Sequence, residues 1–312
     1  MITVLTGGTG GAKFIWGLAQ IVPPEQLTVI VNTGDDLTWW GLHVSPDLDS
    51  VMYALAGKLN RERGWGYADD TFRCLDRMRS LGAEAWFQLG DLDLATHLRR
   101  TQLLGSGRTL TEATSDLCRA LGVKARLLPM SDDPVQTVVS TPAGDLTFQE
   151  YFVRERWKPP VDAVSFKGAE AASTAAGVLQ SLIHSDLVFI APSNPVTSIG
   201  PILAVPGVRD ALRCSTAQVI AVSPIVDGAA VSGPAGDMLK MRGFAVSAAG
   251  VAACYRDVID ALIADTQDEN LRPQIQAAEV KPIFTNTMMT SDDDKIALAR
   301  FALAALPLEA TR

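Results

Sequence analysis

The first stretch whose residue types and spacing point to chemistry is Thr6-Gly7-Gly8-Thr9-Gly10-Gly11-Ala12-Lys13. It follows a short apolar run and opens a segment of helical spacing. Glycines there let a backbone approach a ligand closely, while free N–H groups and the helix dipole favour a phosphate. It is not a Walker A loop, because Lys13 is not followed by Ser or Thr. Nor does it complete Gly-x-Gly-x-x-Gly, because Lys13 stands where the third glycine would fall. The plain alternative is a tight strand-to-helix turn. A second stretch, Asn32-Thr33-Gly34-Asp35-Asp36, ends the next apolar run. An acidic residue there can meet a ribose hydroxyl or a hydrated cation, or simply cap a helix. Ser45-Pro46-Asp47-Leu48-Asp49 follows, and two carboxylates one residue apart can bind Mg²⁺ together with substrate phosphates, although Ser and Asp before a helix are also ordinary caps.

Other polar groups read as structural first. Gly90-Asp91 begins a helix, Asp69-Asp70 reads as capping, and His97, mid-helix beside Arg99 and Arg100, reads as a satisfied structural histidine, with a base as the alternative. Pro129-Met130-Ser131-Asp132-Asp133-Pro134 and Pro192-Ser193-Asn194-Pro195-Val196-Thr197-Ser198 place hydroxyls, amides and backbone donors after apolar runs, as does the loop from Ser223 to Gly236. Several such loops converging on one crevice predict a nucleotide or phosphate-ester site at the carboxyl edge of a sheet.

The elements that must position these loops alternate between short β-branched runs and longer helical patterns, which predicts an α/β Rossmann-like three-layer fold with a mostly parallel sheet. Strands are expected over Ile2–Thr6, 27–32, 186–191 and 218–222, and a first helix around 14–20. The middle of the chain reads as helices 50–59, 69–81, 91–103 and 111–121, then a hairpin of 135–140 and 145–153. Helices over 251–264 and 294–306 would cover the sheet. One α/β domain over residues 1–312 is expected, with the core sheet from about 1–45 and 160–290 and a helical and hairpin insertion over about 46–159.

The chain has 312 residues, 47% hydrophobic and 20% charged, enough to bury a sizeable core without disulfide or metal staples. A net charge of −8 and the lack of a Lys/Arg cluster argue against nucleic-acid binding. No uncharged apolar run reaches the roughly 18–20 residues of a membrane span. Cys74, Cys118, Cys214 and Cys254 form no Cys-x-x-Cys pair, so buried, reduced thiols are expected and a zinc site has poor support. The start Met-Ile-Thr-Val-Leu carries no basic leader, and the expected location is the cytoplasm.

Taken together, GGTGGAK at 7–13, NTGDD at 32–36, SPDLD at 45–49, LGD at 89–91, ATHL at 95–98, PMSDDPV at 129–135, PSNPVTSIGPI at 192–202, VSPIV at 222–226 and VSGPAG at 231–236 resemble the 2-phospho-L-lactate transferase family, in order and over nearly the whole chain. The resemblance implies an enzyme of coenzyme F420 biosynthesis. It would transfer a phosphorylated three-carbon acid from a guanylyl-activated donor, of the lactyl-2-diphospho-5′-guanosine type or its phosphoenolpyruvate- or glycerate-derived analogue. The acceptor would be the ribityl hydroxyl of 7,8-didemethyl-8-hydroxy-5-deazariboflavin, with release of GMP, Mg²⁺ as cofactor and a homodimer as the assembly.

By that resemblance Asp49 holds the deazaflavin and is the candidate base. Gln88 stands where family members often carry Lys, so a hydrogen bond would replace a charge contact there. Gly7, Gly8, Thr9, Gly10, Gly11 and Lys13 would hold the guanylyl diphosphate, Ser193 and Asn194 would line the guanosine side, and Asp47 and Asp36 are the metal candidates. Two other readings compete: a related branch of regulatory proteins that bind a nucleotide sugar without turnover, opposed by SPDLD, LGD and PMSDDP, and a nicotinamide-dependent dehydrogenase, opposed by the broken glycine fingerprint.

Overall fold

Seven runs of four or five residues, all but the last buried almost throughout, form the centre of the molecule. In the computed structural model, which describes residues 1–305, they are β1 (Ile2–Thr6), β2 (Leu27–Val31), β3 (Arg126–Pro129), β4 (Leu187–Ile190), β5 (Gln218–Val222), β6 (Ala261–Asp265) and β7 (Lys281–Thr285). They pair in the order β7-β6-β5-β4-β1-β2-β3, every pair parallel. Successive side chains of a strand face opposite ways. Leu5, Ile30, Val188, Ala221 and Leu262 accordingly pack in one core layer, and Val4, Val29, Phe189, Ile220 and Ile263 in the other. Helices Val178–His184, Val208–Cys214 and Ala248–Tyr255 cover the first layer. The second is covered by α1 (Gly8–Ala19), α2 (Pro46–Leu55), the helix α5 (Leu110–Ala120) and the helix Asp292–Ala304. This is the Rossmann-like three-layer α/β arrangement.

The strand order reverses between β1 and β4, and in an open α/β sheet that switch point opens a crevice at the carboxyl ends of the strands. Two further helices, α3 (Arg73–Ser80) and α4 (Asp91–Gly105), pack on each other, with α4 reaching the crevice through Asp93 and His97, and Gln136–Thr141, Gly144–Thr147 and Ala163–Lys167 form a separate antiparallel sheet.

Several elements differ from expectation. The segment expected as one helix over 251–264 divides into the helix Ala248–Tyr255 and the fully buried strand β6. The strand β3 belongs to the central sheet although it falls inside 46–159, whereas Ala163–Lys167 belongs to the small sheet. The helix expected over 50–59 begins at Pro46, because proline fits the first helical position and Asp47 and Asp49 in the first turn complement the helix dipole. The helix expected over 69–81 is shorter, Arg73–Ser80. The second hairpin strand stops at Thr147, where Glu150 Oε2 accepts from both the N–H (2.9 Å) and the hydroxyl (3.0 Å) of Thr147 and turns the chain into a π-helical segment, Glu150–Arg154. The end of the helix expected over 294–306 lies outside the described residues. Of the four free cysteines Cys118 is buried but Cys214 is exposed. No helix among the described residues is long and apolar enough to cross a membrane.

Candidate active site

A cavity of about 720 Å³ opens at the switch point. Its floor is the turn from β1 into α1. Gly8 adopts φ +68°, in the left-handed region that favours glycine, and its N–H donates to Asp47 Oδ1 at 2.8 Å. A Cβ on Gly10 would lie 2.5 Å from the carbonyl oxygen of Pro192, so glycine here lets the loop after β4 lie directly on the start of α1. The N-cap residue Gly7 supplies no cap of its own, the first N–H of α1 being met by Asp47, and Gly7, Gly8, Thr9, Gly10 and Lys13 line the cavity. Gly11 does not; it is a packing glycine against Thr6 and Ser193. Ser193 and Asn194 reach the cavity wall, yet their side-chain oxygens also hold backbone. Ser193 Oγ donates to Gly7 O (2.7 Å), and Asn194 Oδ1 accepts from the N–H of Val196 (3.0 Å) and Thr197 (3.3 Å).

Beside the glycine turn two buried carboxylates share one donor. Asn32 Nδ2 lies 3.0 Å from Asp35 Oδ2 and 3.0 Å from Asp47 Oδ2, while its Oδ1 accepts from Gly34 N at 2.8 Å. Burial pushes both acids up, Asp47 to about 6 and Asp35 well above the usual carboxylate range. The charge of Asp47 adds to the rise at Asp35, against the opposing contacts of Thr137 and Asn32. Asp35 Oδ1 is buried and has no hydrogen-bond partner among the described residues. Two desolvated carboxylates with an unmet oxygen lobe are a hard-oxygen donor set that suits Mg²⁺ bound together with a phosphate. Asp36, the neighbouring candidate, does not line the cavity. It pairs with His43 Nε2 (3.0 Å) and accepts from Ser45 Oγ (2.6 Å), so the inward-facing acid of this turn is Asp35.

Deeper under α2 lies a second polar cluster. Asp49 is 3% exposed, and both its oxygens are taken by the guanidinium of Arg100, itself 1% exposed: Nη1 donates to Oδ2 at 3.0 Å and Nη2 to Oδ1. His97 Nδ1 lies 3.5 Å from Asp49 Oδ2, and its Nε2 lies 3.3 Å from Asp93 Oδ1, which also accepts from the Tyr53 hydroxyl at 2.8 Å. Burial works against the charge on Asp93, but His97, Tyr53 and Arg100 outweigh it and hold its pKa below the usual value. Asp49, Asp93 and His97 could in principle converge on a metal ion. Arg100 already supplies the positive charge there, which leaves Asp35 and Asp47 as the better-suited pair. Arg100 is thus a buried counter-ion, while Arg99 remains at the surface bonded to Gln102.

The helix α4 that carries Asp93, His97 and Arg100 is tied to α3 by exchanged caps. Asp70, ahead of α3, accepts from Leu92 N (2.8 Å) and Asp93 N (3.1 Å). Asp91, at the start of α4, accepts from Cys74 N (2.9 Å), Arg73 N (3.3 Å) and the Thr71 hydroxyl. Asp70 is a cap as expected, and Asp91 both begins α4 as expected and acts as a cap, each serving the other's helix.

A family model described as 2-phospho-L-lactate transferase CofD matches residues 2–300. The chain belongs to this transferase family. A 2-phospho-L-lactate transferase of Methanococcoides burtonii is 43% identical over 92% of this chain and 94% of its own, and one of Methanosarcina acetivorans is 43% identical over 96% and 97%. A phosphoenolpyruvate transferase of Streptomyces griseus subsp. griseus is 44% identical over 97% of each chain. Among solved structures, a Bacillus halodurans protein of the UPF0052 family superposes with a TM-score of 0.67 at 17% identity, over 97% of this chain and 98% of that one, a likeness of fold.

In this member of the family the cavity also has an aromatic wall absent from the sequence reading. Trp86, Phe87, Phe148, Phe152 and Trp157 line it, with Phe148 stacked on Phe152 at 5.5 Å and Phe152 on Trp157 at 5.0 Å. Gln88 lies at the same mouth, exposed. Only the aromatic density of 148–157 signalled this wall in the sequence.

Proposed function

We propose that this transferase moves a phosphorylated three-carbon acid, derived from lactate or enolpyruvate, from a guanylyl-activated donor to the ribityl hydroxyl of 7,8-didemethyl-8-hydroxy-5-deazariboflavin, a step of coenzyme F420 biosynthesis. The hydroxyl oxygen would attack the acid's phosphorus, the bond to GMP would break, and a phosphodiester would form. The observation that carries the reading is the meeting, in one cavity, of a glycine turn at the start of α1, a pair of buried acids and an aromatic wall. The turn suits a diphosphate, and the wall suits a flat heterocycle.

Phosphoryl transfer is mainly positioning and charge stabilisation. Gly7, Gly8, Thr9, Gly10 and Lys13 are assigned to the diphosphate, and Ser193 and Asn194 to the guanosine side through the wall they build. Asp35 and Asp47 would hold Mg²⁺, which when bound supplies neutralisation of the phosphate charge. Asp49 is assigned to the ribityl chain, with Gln88 as a hydrogen-bonding neighbour. Both Asp49 oxygens are already engaged by the Arg100 guanidinium, which favours orienting the hydroxyl over removing its proton. A cytoplasmic location and a homodimer belong to the same reading, to be checked by fractionation and light scattering.

The test is a reaction of purified protein, Mg²⁺ and the deazaflavin with each guanylyl-activated acid, read by mass spectrometry. A phosphodiester with one acid is the expected product and identifies the donor. No product with any acid would overturn the reading.

A further inference from the structure

We propose that Arg156 binds the carboxylate of the donated acid and so selects donors by that group, an inference that rests on the transferase reading above. Phospholactate and phosphoenolpyruvate differ in one bond, single or double between the second and third carbons, but share a carboxylate beside the phosphorylated position. A guanylyl-activated donor therefore brings a diphosphate and a separate carboxylate into the cavity. Among the described residues, the Lys and Arg side chains that line this cavity are Lys13 and Arg156. Lys13 stands on the first turns of α1, beside the glycine turn assigned to the diphosphate, and the acid pair next to it would recruit a cation for the same phosphates. Arg156 remains for the third anionic group.

Arg156 is exposed and lines the cavity, and its surroundings set it apart from the other surface arginines. Its neighbour Arg154 is already engaged, with ion pairs to Glu150 (3.0 Å) and Glu155 (3.1 Å) and its guanidinium 5.7 Å from the Trp86 ring. Arg156 has no ion pair or hydrogen-bonded side-chain partner among the described residues. Its backbone is held in the left-handed region, φ +54°, followed by Trp157 at +46°, a conformation that side-chain-bearing residues seldom adopt twice in succession. Packing fixes that turn. Trp157 N donates to Tyr151 O at 2.9 Å, the buried Tyr151 hydroxyl donates to Trp157 O at 3.4 Å, and the Trp157 ring stacks on Phe152. Backbone held against its preference by such packing is a feature of ligand clamps. A guanidinium also matches a carboxylate with two parallel hydrogen bonds, which lysine cannot reproduce.

The experiment measures equilibrium binding and turnover of the guanylyl-activated phospholactate and its carboxamide analogue with wild type, Arg156→Gln, Arg156→Lys and Arg154→Gln. Loss of a charge-assisted pair predicts that Arg156→Gln weakens the carboxylate donor by roughly 10- to 100-fold in Kd and KM, with kcat within about threefold. Arg156→Lys should recover part of the loss, and Arg154→Gln should change neither constant. The carboxamide should bind wild type and Arg156→Gln alike, the signature of coupling between the two groups. Equal binding of acid and amide by wild type, or an unchanged carboxylate Kd in Arg156→Gln, would overturn this assignment and leave the transferase reading standing. Discrimination at the binding step without any turnover would uphold the carboxylate site and remove the reaction. No donor binding by wild type would remove both.

Discussion

Replacing Asp47 by Asn should stabilise the metal-free protein while abolishing its activity. Burial lifts the Asp47 carboxyl from its ordinary 3.8 to about 6, so keeping it ionised in the folded state at pH 8 costs about 3 kcal/mol relative to the unfolded chain. The sign is fixed by the direction of the shift. A raised pKa means the folded state holds the proton more tightly, so this stabilisation is complete below pH 4 and lost as pH rises through about 6. Asparagine carries no charge and can still accept from Gly8 N, but its amide meets the Asn32 donor, a loss of about 1 kcal/mol. A net gain of about 2 kcal/mol corresponds to a rise in Tm of about 4 °C for a chain of this size. Thermal unfolding followed by circular dichroism in EDTA at pH 8 and pH 4 tests this, with the gain lost at the lower pH, where the missing Asn32 bond leaves the variant slightly below wild type. Added Mg²⁺ should raise the Tm of wild type, by about 3 kcal/mol of stabilisation at a hundredfold excess over Kd, and leave Asp47→Asn unmoved. A variant that melts below wild type at pH 8, or that responds equally to Mg²⁺, would refute both the electrostatic argument and the place given to the cation.

Three other perturbations follow from the geometry. Arg100→Met leaves Asp49 buried without its counter-ion and should cost about 3–5 kcal/mol in urea unfolding, whereas pairing it with Asp49→Leu should restore most of that loss; a double variant as unstable as the single one would contradict it. Asp49→Asn should weaken deazaflavin binding, seen by fluorescence titration, while single-turnover transfer at saturating acceptor keeps its rate; a rate lost at saturation would make Asp49 the base after all. Gly10→Ala places a methyl 2.5 Å from Pro192 O and should displace the loop after β4, lowering Tm and raising KM for the guanylyl donor by about tenfold or more; unchanged kinetics would show that the loop yields freely.

The parallel sheet was legible because its strands are continuous apolar runs bounded by Gly, Pro and Ser. Gln218–Val222 is found where the run predicts it. The same signal misled at 251–264, where Val251 and Tyr255 have true helical spacing and Val258, Ile259 and Leu262 continue it by coincidence. No Gly or Pro punctuates the passage from that helix into β6, and a strand buried on both faces has no period of its own. The apolar run of the strand β3 was legible before Pro129, but the helices around it placed it with the insertion and not with the sheet. At the site, the loops were legible from composition but their facing was not. Asp35 and Asp36 are adjacent, and which one turns inward depends on Asn32 reaching across to Asp47, a contact between distant residues. The aromatic wall joins 86–87 to 148–157, segments far apart in sequence that meet where Val153 packs on the cluster of Trp39 and Phe87.

The exchanged caps between α3 and α4 have a consequence for how this molecule comes apart. Neither helix supplies its own amino-terminal acceptors: Asp70 serves α4 and Asp91 serves α3. Opening one therefore strips the other of its cap, so the two should exchange their amide hydrogens as a single cooperative unit with a shared opening free energy. Because α4 also carries Asp93, His97 and Arg100, any fluctuation that lifts the exposed α3 from its place passes directly to the residues around Asp49. A ligand held by Asp49 would slow hydrogen exchange in a helix it never touches.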